Sequence, residues 1–194
     1  MQRFDQDDSD LTNRPEAIGN VQGGMFTQPP SNQQPAGQFV PGSLEFYGAV
    51  QSVSAASIVV GMPDGQPLTL TVAPGQTDLS HNNNALPRQG QMIKVHATAK
   101  SDGSFTANKL APADRASRHD LAEAEFRGVT TSTVGSDLML HFQVGTMAFS
   151  FPISATADLG DFDDRVQSIR ANQPIEAEVE FQGTRGTIVE VDRR

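Results

Sequence analysis

The feature that most constrains this chain is an internal repeat at an offset of 80 residues. Glu45-Phe46-Tyr47-Gly48 recurs as Glu125-Phe126-Arg127-Gly128, and Ser57-Ile58-Val59-Val60 falls on Asp137-Leu138-Met139-Leu140 at the same spacing. With one-residue gaps, Leu68, Leu70, Val72 and Thr77 fall on Met147, Phe149, Phe151 and Thr156. Ile93, Val95 and Ala97 then fall on Ile175, Ala177 and Val179. Apolar positions meet apolar positions with a period of 2, the signature of strands with one buried face.

Each copy reads as five strands. In the first, Leu44–Val53, Ser57–Gly61 and Pro67–Ala73 precede a long insertion, and Gln91–Ala99 and Ser104–Leu110 follow it. The turns carry the expected chemistry, Pro63-Asp64-Gly65 and Ser101-Asp102-Gly103. The second copy's insertion, Asp161 to Arg170, spaces Phe162, Val166 and Ile169 at helical intervals, with acids at its start and Arg170 at its end, which predicts a short helix. The first copy's insertion, Thr77 to Gln89, holds Asn82-Asn83-Asn84 and Pro87 and predicts a loop with at most one turn.

Strand, strand, strand, helix or loop, strand, strand is the order of the OB-fold, a five-stranded Greek-key barrel. The expected fold class is therefore mainly β, with two tandem OB-like barrels behind a disordered arm. The expected boundaries are an arm at 1–43, barrel 1 at 44–111, a polar linker at 112–121 and barrel 2 at 122–194. The arm is rich in Gln, Asn, Gly, Pro and Asp and shows no period of 2 or 3.6, so it cannot bury enough surface to offset the ordering of its backbone. Its Met25-Phe26 and Phe39-Val40 pairs read as incidental apolar residues rather than as anchors for a partner's groove.

Tyr47-Gly48-Ala49-Val50-Gln51-Ser52-Val53, Gln89-Gly90-Gln91-Met92-Ile93-Lys94-Val95 and Asp102-Gly103-Ser104-Phe105-Thr106-Ala107-Asn108-Lys109-Leu110 together resemble the OB-like repeat domains of unknown function in bacterial envelope and secreted proteins. The second copy departs from that pattern at Gln173-Pro174, where Gly is expected. The resemblance implies an extracytoplasmic protein if a leader was removed. The acidic start Met1 to Asp10 is no signal peptide and implies a cytoplasmic one if Met1 is the true start.

Net charge is −9, so the average surface repels phosphate backbones. Without cysteine there are no disulfides, thiolate nucleophiles or Cys-based metal sites. The longest apolar runs fall far short of the ~20 residues that span a bilayer.

His81, His96, His119 and His141 show neither His-x-His nor His-x-x-x-His spacing, and Asp78 with Ser80-His81 has no nucleophile elbow or oxyanion loop beside it. No catalytic, cofactor or metal residues are assigned, and the chain is read as a non-enzyme. The cluster Asp158, Asp161, Asp163 and Asp164 lacks the ligand alternation and central glycine of a calcium loop and reads as acids at a helix start.

Residues 44–110 balance four acids against four bases, whereas 122–194 carry twelve acids and six bases. Barrel 1 therefore holds the candidate ligand groove, Lys94, Lys100, Phe105 and Lys109. The expected role is a non-catalytic binding or assembly module with a protein partner. The rival is single-stranded nucleic acid on barrel 1, a role for which a chain with no Trp and one Tyr is poorly supplied with stacking surfaces.

Overall fold

The computed structural model describes residues 39–194 apart from 74 and 115. The expected arm lies outside the described residues as far as 38, and so does the Met25-Phe26 pair. Residues 39–43 belong to the fold: Phe39 packs on the core and Val40 forms a bridge to Gly145.

Ten strands follow. β1 (Ser43–Val53), β2 (Ser57–Gly61), β3 (Pro67–Thr71), β4 (Met92–Ala99) and β5 (Phe105–Pro112) form barrel 1. Barrel 2 comprises β6 (Glu123–Thr130), β7 (Met139–Val144), β8 (Met147–Asp158), β9 (Pro174–Gln182) and β10 (Arg185–Arg193). In barrel 1 the ladders run β1–β2–β3–β5–β4 and return to β1, with β3 and β5 parallel. Barrel 2 repeats this as β6–β7–β8–β10–β9 and back to β6, with β8 and β10 parallel. Closure in this order is the OB-type barrel.

Alternation fills each interior. Leu44, Phe46, Ile58, Val60, Leu70, Ile93, Val95 and Leu110 are almost fully buried in barrel 1. Barrel 2 is more aromatic, with Phe126, Phe142, Phe149 and Phe151 packed at centroid distances of 4.7 to 6.2 Å. Gly48 and Gly128, 80 residues apart, occupy equivalent close approaches. A Cβ at Gly48 would strike the Gly61 carbonyl oxygen, and one at Gly128 that of Gln143.

The ladders correct part of the sequence alignment. Ile58 pairs with Leu70 and Leu140 with Phe151, so Ile58 corresponds to Leu140 rather than Leu138, and Leu70 to Phe151 rather than Phe149. The β6–β7 connection, 131–138, is longer than the β1–β2 connection, 54–56, and shifts the register by two residues. Leu138 is an exposed residue of that longer loop, at φ 54°. The assignment of Ile93, Val95 and Ala97 to Ile175, Ala177 and Val179 agrees with the β1–β4 and β6–β9 ladders.

The expected helix at 161–170 is two single 3-10 turns, Gly160–Phe162 and Val166–Ser168. Asp163 and Asp164 between them sit at φ 54° and 55°, a left-handed pair that no α-helix can pass through. Barrel 1 takes the same path in its 3-10 turn Ser80–Asn82 followed by Asn83 and Asn84 at φ 54° and 57°. In each copy an Asp accepts from the backbone N–H two residues on, Asp78 from Ser80 at 2.9 Å and Asp158 from Gly160 at 3.0 Å. At the strand entrance beyond, the Gly that barrel 2 lacks is replaced by Asn172. It adopts φ 62° where Gly90 adopts 82°.

Among the described residues, no helix is long and apolar enough to cross a membrane.

Candidate functional site

The two barrels are joined edge to edge. β1 runs antiparallel to β6, with Ser43 opposite Arg127, Leu44 opposite Phe126, Glu45 opposite Glu125 and Phe46 opposite Ala124. Under the 80-residue offset Leu44–Phe126 and Phe46–Ala124 interchange and Glu45–Glu125 maps onto itself, so a local twofold axis passes through the Glu45–Glu125 pair. Contacts at the flanks obey the same axis. The β7–β8 turn meets the β4–β5 turn, where the Thr146 hydroxyl donates to the Gly103 carbonyl at 3.3 Å. Reciprocally, the β2–β3 turn approaches the β9–β10 turn, where a Cβ at Gly65 would lie 3.4 Å from Thr184 Cγ2.

This joint aligns the outward side chains of β5, β4, β1, β6, β9 and β10. Lys109 lies opposite His96, His96 opposite Glu45, Glu45 opposite Glu125, Glu125 opposite Glu178 and Glu178 opposite Glu190. The row runs from Lys109 and His96 on barrel 1 to four successive carboxylates. Beside it, Glu123 faces Glu180, and Arg127 faces Glu176, which faces Asp192. A pocket of about 140 Å³ opens at the centre, between Glu45, Lys94, Asp120, Glu123, Glu125 and Glu178 among others.

Directly opposed like charges destabilise a sheet, so compensation is required. Glu45 is held by Lys94 and by His96 Nδ1 at 2.7 Å, and Lys94 also lies 5.5 Å from the centre of the Tyr47 ring. Partial burial disfavours the Lys94 ammonium, but Glu45 outweighs it and the pKa is raised. Partial burial also lowers the His96 pKa, against the pull of Glu45. Arg127 bridges Glu125 at 2.7 Å and Glu176 at 3.1 Å, and Arg194 holds the other oxygen of Glu176.

Towards the far edge compensation fails. Partial burial and the neighbouring Glu123 charge raise the pKa of Glu178, helped by a hydrogen bond between the two that requires a protonated carboxyl. Glu190 is raised by burial and by Asp192.

The residues chosen from sequence do not converge on one groove. Lys94 and Lys109 share the outer sheet face, and Lys94 lies in the central pocket. Lys100 sits at the β4–β5 turn, whose Gly103 meets barrel 2. Phe105 is 3% exposed, since its position points into barrel 1 beneath Gly145, and its ring offers no surface for stacking. The outward residues of β2 and β3 are Ser57, Val59, Gly61, Pro67, Thr69 and Thr71, without a charge or an aromatic ring. Strands 2 and 3 and the 4–5 loop are the elements with which OB-folds hold single strands.

The acidic cluster of barrel 2 is engaged by backbone: Asp158 caps Gly160, and Asp161 accepts from the Arg193 N–H at 3.0 Å. Among the described residues, no three His, Asp or Glu side chains are grouped to hold a metal ion. Sequence reasoning missed the carboxylate row. The equivalence of Glu45 and Glu125, together with the alternating Glu176, Glu178 and Glu180, was its available signal.

No family model matches the chain, and no curated protein matches it. Among solved structures, Drosophila Unr CSD456 aligns at 10% identity over 77% of this chain and 62% of that one, with a TM-score of 0.28. A multidomain protein with nucleic acid binding domains from Streptococcus pneumoniae TIGR4 aligns at 13% identity over 77% and 50%, with a TM-score of 0.25. This chain thus spans less than two thirds of either. Superpositions this loose decide nothing about it, and the barrel assignment rests on the ladders.

Proposed function

We propose that this chain is a non-catalytic binding module, two OB-like barrels locked edge to edge, which carries a protein partner on the outer sheet they share. The observation that carries this reading is the row Glu45, Glu125, Glu178 and Glu190, flanked by Glu123, Glu176, Glu180 and Asp192. A sheet face with eight carboxylates, of which Glu178, Glu180, Glu190 and Asp192 have no ion-pair partner among the described residues, favours a partner segment rich in Lys and Arg, because charge complementarity steers encounter and fixes orientation. Both histidines near the pocket are paired with carboxylates that belong to this face. His96 is held by Glu45 and His119 by Glu123 at 2.8 Å, with no hydroxyl partner among the described residues.

Titration with a labelled lysine-rich peptide and with labelled single-stranded oligonucleotides, each across a salt series, tests the reading. The expected result is peptide binding that weakens with salt and is lost in the double variant Glu178→Lys, Glu180→Lys. Oligonucleotide binding with a steep salt slope, or peptide binding indifferent to that reversal, would overturn it.

A further inference from the structure

The two copies share one backbone path between their third and fourth strands, yet they close the barrel end differently. Asn82 donates its N–H to the Leu79 carbonyl, as Phe162 does to Leu159, and the left-handed pairs Asn83-Asn84 and Asp163-Asp164 follow. Asn82 and Phe162 are therefore equivalent. Phe162 is fully buried, with the Arg193 guanidinium 4.7 Å from its ring centre. With Asn in that place, barrel 1 has an open pocket of about 400 Å³, lined by Asn82, Asn83, Ala85, Leu86, Arg88 and Gln91.

Its chemistry is specific. The Asn82 amide N–H donates to the Ala85 carbonyl at 2.7 Å, leaving its oxygen as an acceptor. The Gln91 side-chain oxygen is taken by the Arg88 backbone N–H at 3.0 Å, leaving its NH₂ as a donor. The Arg88 guanidinium has no ion-pair partner among the described residues, although the chain has 23 acidic residues and 14 Lys and Arg. Leu86, half-buried against the core, and Ala85 add an apolar wall. A free guanidinium forks onto a carboxylate with two parallel hydrogen bonds, and the amides serve neighbouring hydroxyl or amide groups.

We propose that this open end of barrel 1 binds a small organic carboxylate bearing hydrogen-bonding groups, either a sugar acid or an acylated amino acid. The site is separate from the docking face and does not depend on it. Barrel 2 holds the buried Phe162 at the equivalent position, although Arg170 and Gln173 keep the same bracket, an N–H to side-chain oxygen bond of 2.6 Å.

The internal repeat supplies the test. ¹⁵N NMR of the full chain would follow the side-chain signals of Arg88, Asn83 and Gln91 during titration with D-glucuronate, N-acetyl-L-aspartate, D-glucose and inorganic phosphate. One of the two carboxylates is expected to shift them saturably in the millimolar range, identifying its source, with glucose silent and phosphate weaker. Both Asn82→Phe, which installs the residue barrel 2 already accommodates, and Arg88→Gln on the surface should abolish the shifts. Silence with both carboxylates, tighter phosphate binding, or shifts that survive in Arg88→Gln would overturn the proposal.

Discussion

Glu45 and Glu125, the same position in two copies of one repeat, face each other across the β1–β6 ladder that joins the barrels. Their surroundings are not equivalent. Among the described residues Glu45 is the sole carboxylate bridged to Lys94 and His96, whereas Arg127 keeps Glu176 even if Glu125 is removed. Glu125→Gln is therefore expected to leave stability unchanged or raise it by up to ~1 kcal/mol, and Glu45→Gln to lower it by about 1 kcal/mol. Urea denaturation of the two variants checks the asymmetry, and equal effects would contradict it.

Glu178 and Glu190 make stability depend on pH. Both have folded-state pKa values raised above the ordinary 4.5, so the folded chain holds their protons more tightly than the unfolded chain. Their contribution is present in acid and is lost as pH rises through the folded values. Glu178→Gln, which cannot ionise, should melt above the wild type at about pH 8, with the gap closing towards about pH 5. His96 acts in the opposite sense, since its lowered pKa favours the folded state above 6.5 and costs stability as pH falls through the folded value. The comparison between wild type and variant at each pH removes that background.

The filled end of barrel 2 predicts a contrast between equivalent residues. Phe162→Ala empties a fully buried aromatic site and should cost roughly 3 to 5 kcal/mol. Asn82→Ala removes only the bond to the Ala85 carbonyl and should cost about 1 kcal/mol. Thermal melts of the pair would expose an error if the two losses were alike.

Gly145 tests the joint itself. It adopts φ 61°, and a Cβ there would lie 2.7 Å from the Ala99 Cβ and 3.3 Å from the Phe105 ring, both in the other barrel. Gly145→Ala should destabilise by about 1 to 3 kcal/mol through overpacking and hasten proteolytic cleavage between β5 and β6. Gly75→Ala, also at positive φ but with nothing within 4 Å, is the control for backbone strain alone.

The strands were legible because period-2 burial leaves a direct trace in residues such as Ile93, Val95 and Ala97. Leu138 misled the alignment because an apolar side chain in a loop resembles one in a strand until its backbone angle is known. Phe162, Val166 and Ile169 mimicked a helix for a related reason: two buried residues and a partly buried one at helical spacing also fit two 3-10 turns. The pattern Asp-Leu followed after three residues by a pair of Asn or Asp, at Asp78 and at Asp158, was the sign that both copies turn alike. The barrel–barrel joint was less accessible. No local pattern tells that β1 and β6 pair, and Phe105 could not be excluded from a groove until Gly145 was seen to cover it.

Among the described residues every strand has a hydrogen-bonded neighbour on both sides; the first half of β1 lies between β4 and β6, and that of β6 between β9 and β1. Strand-to-strand growth needs an unsatisfied backbone edge, and this arrangement consumes its own. Along Ser43–Phe46 and Ala124–Arg127 the backbone is thus closed to strand addition by a second molecule, a protection against edge-to-edge growth that does not rely on charge.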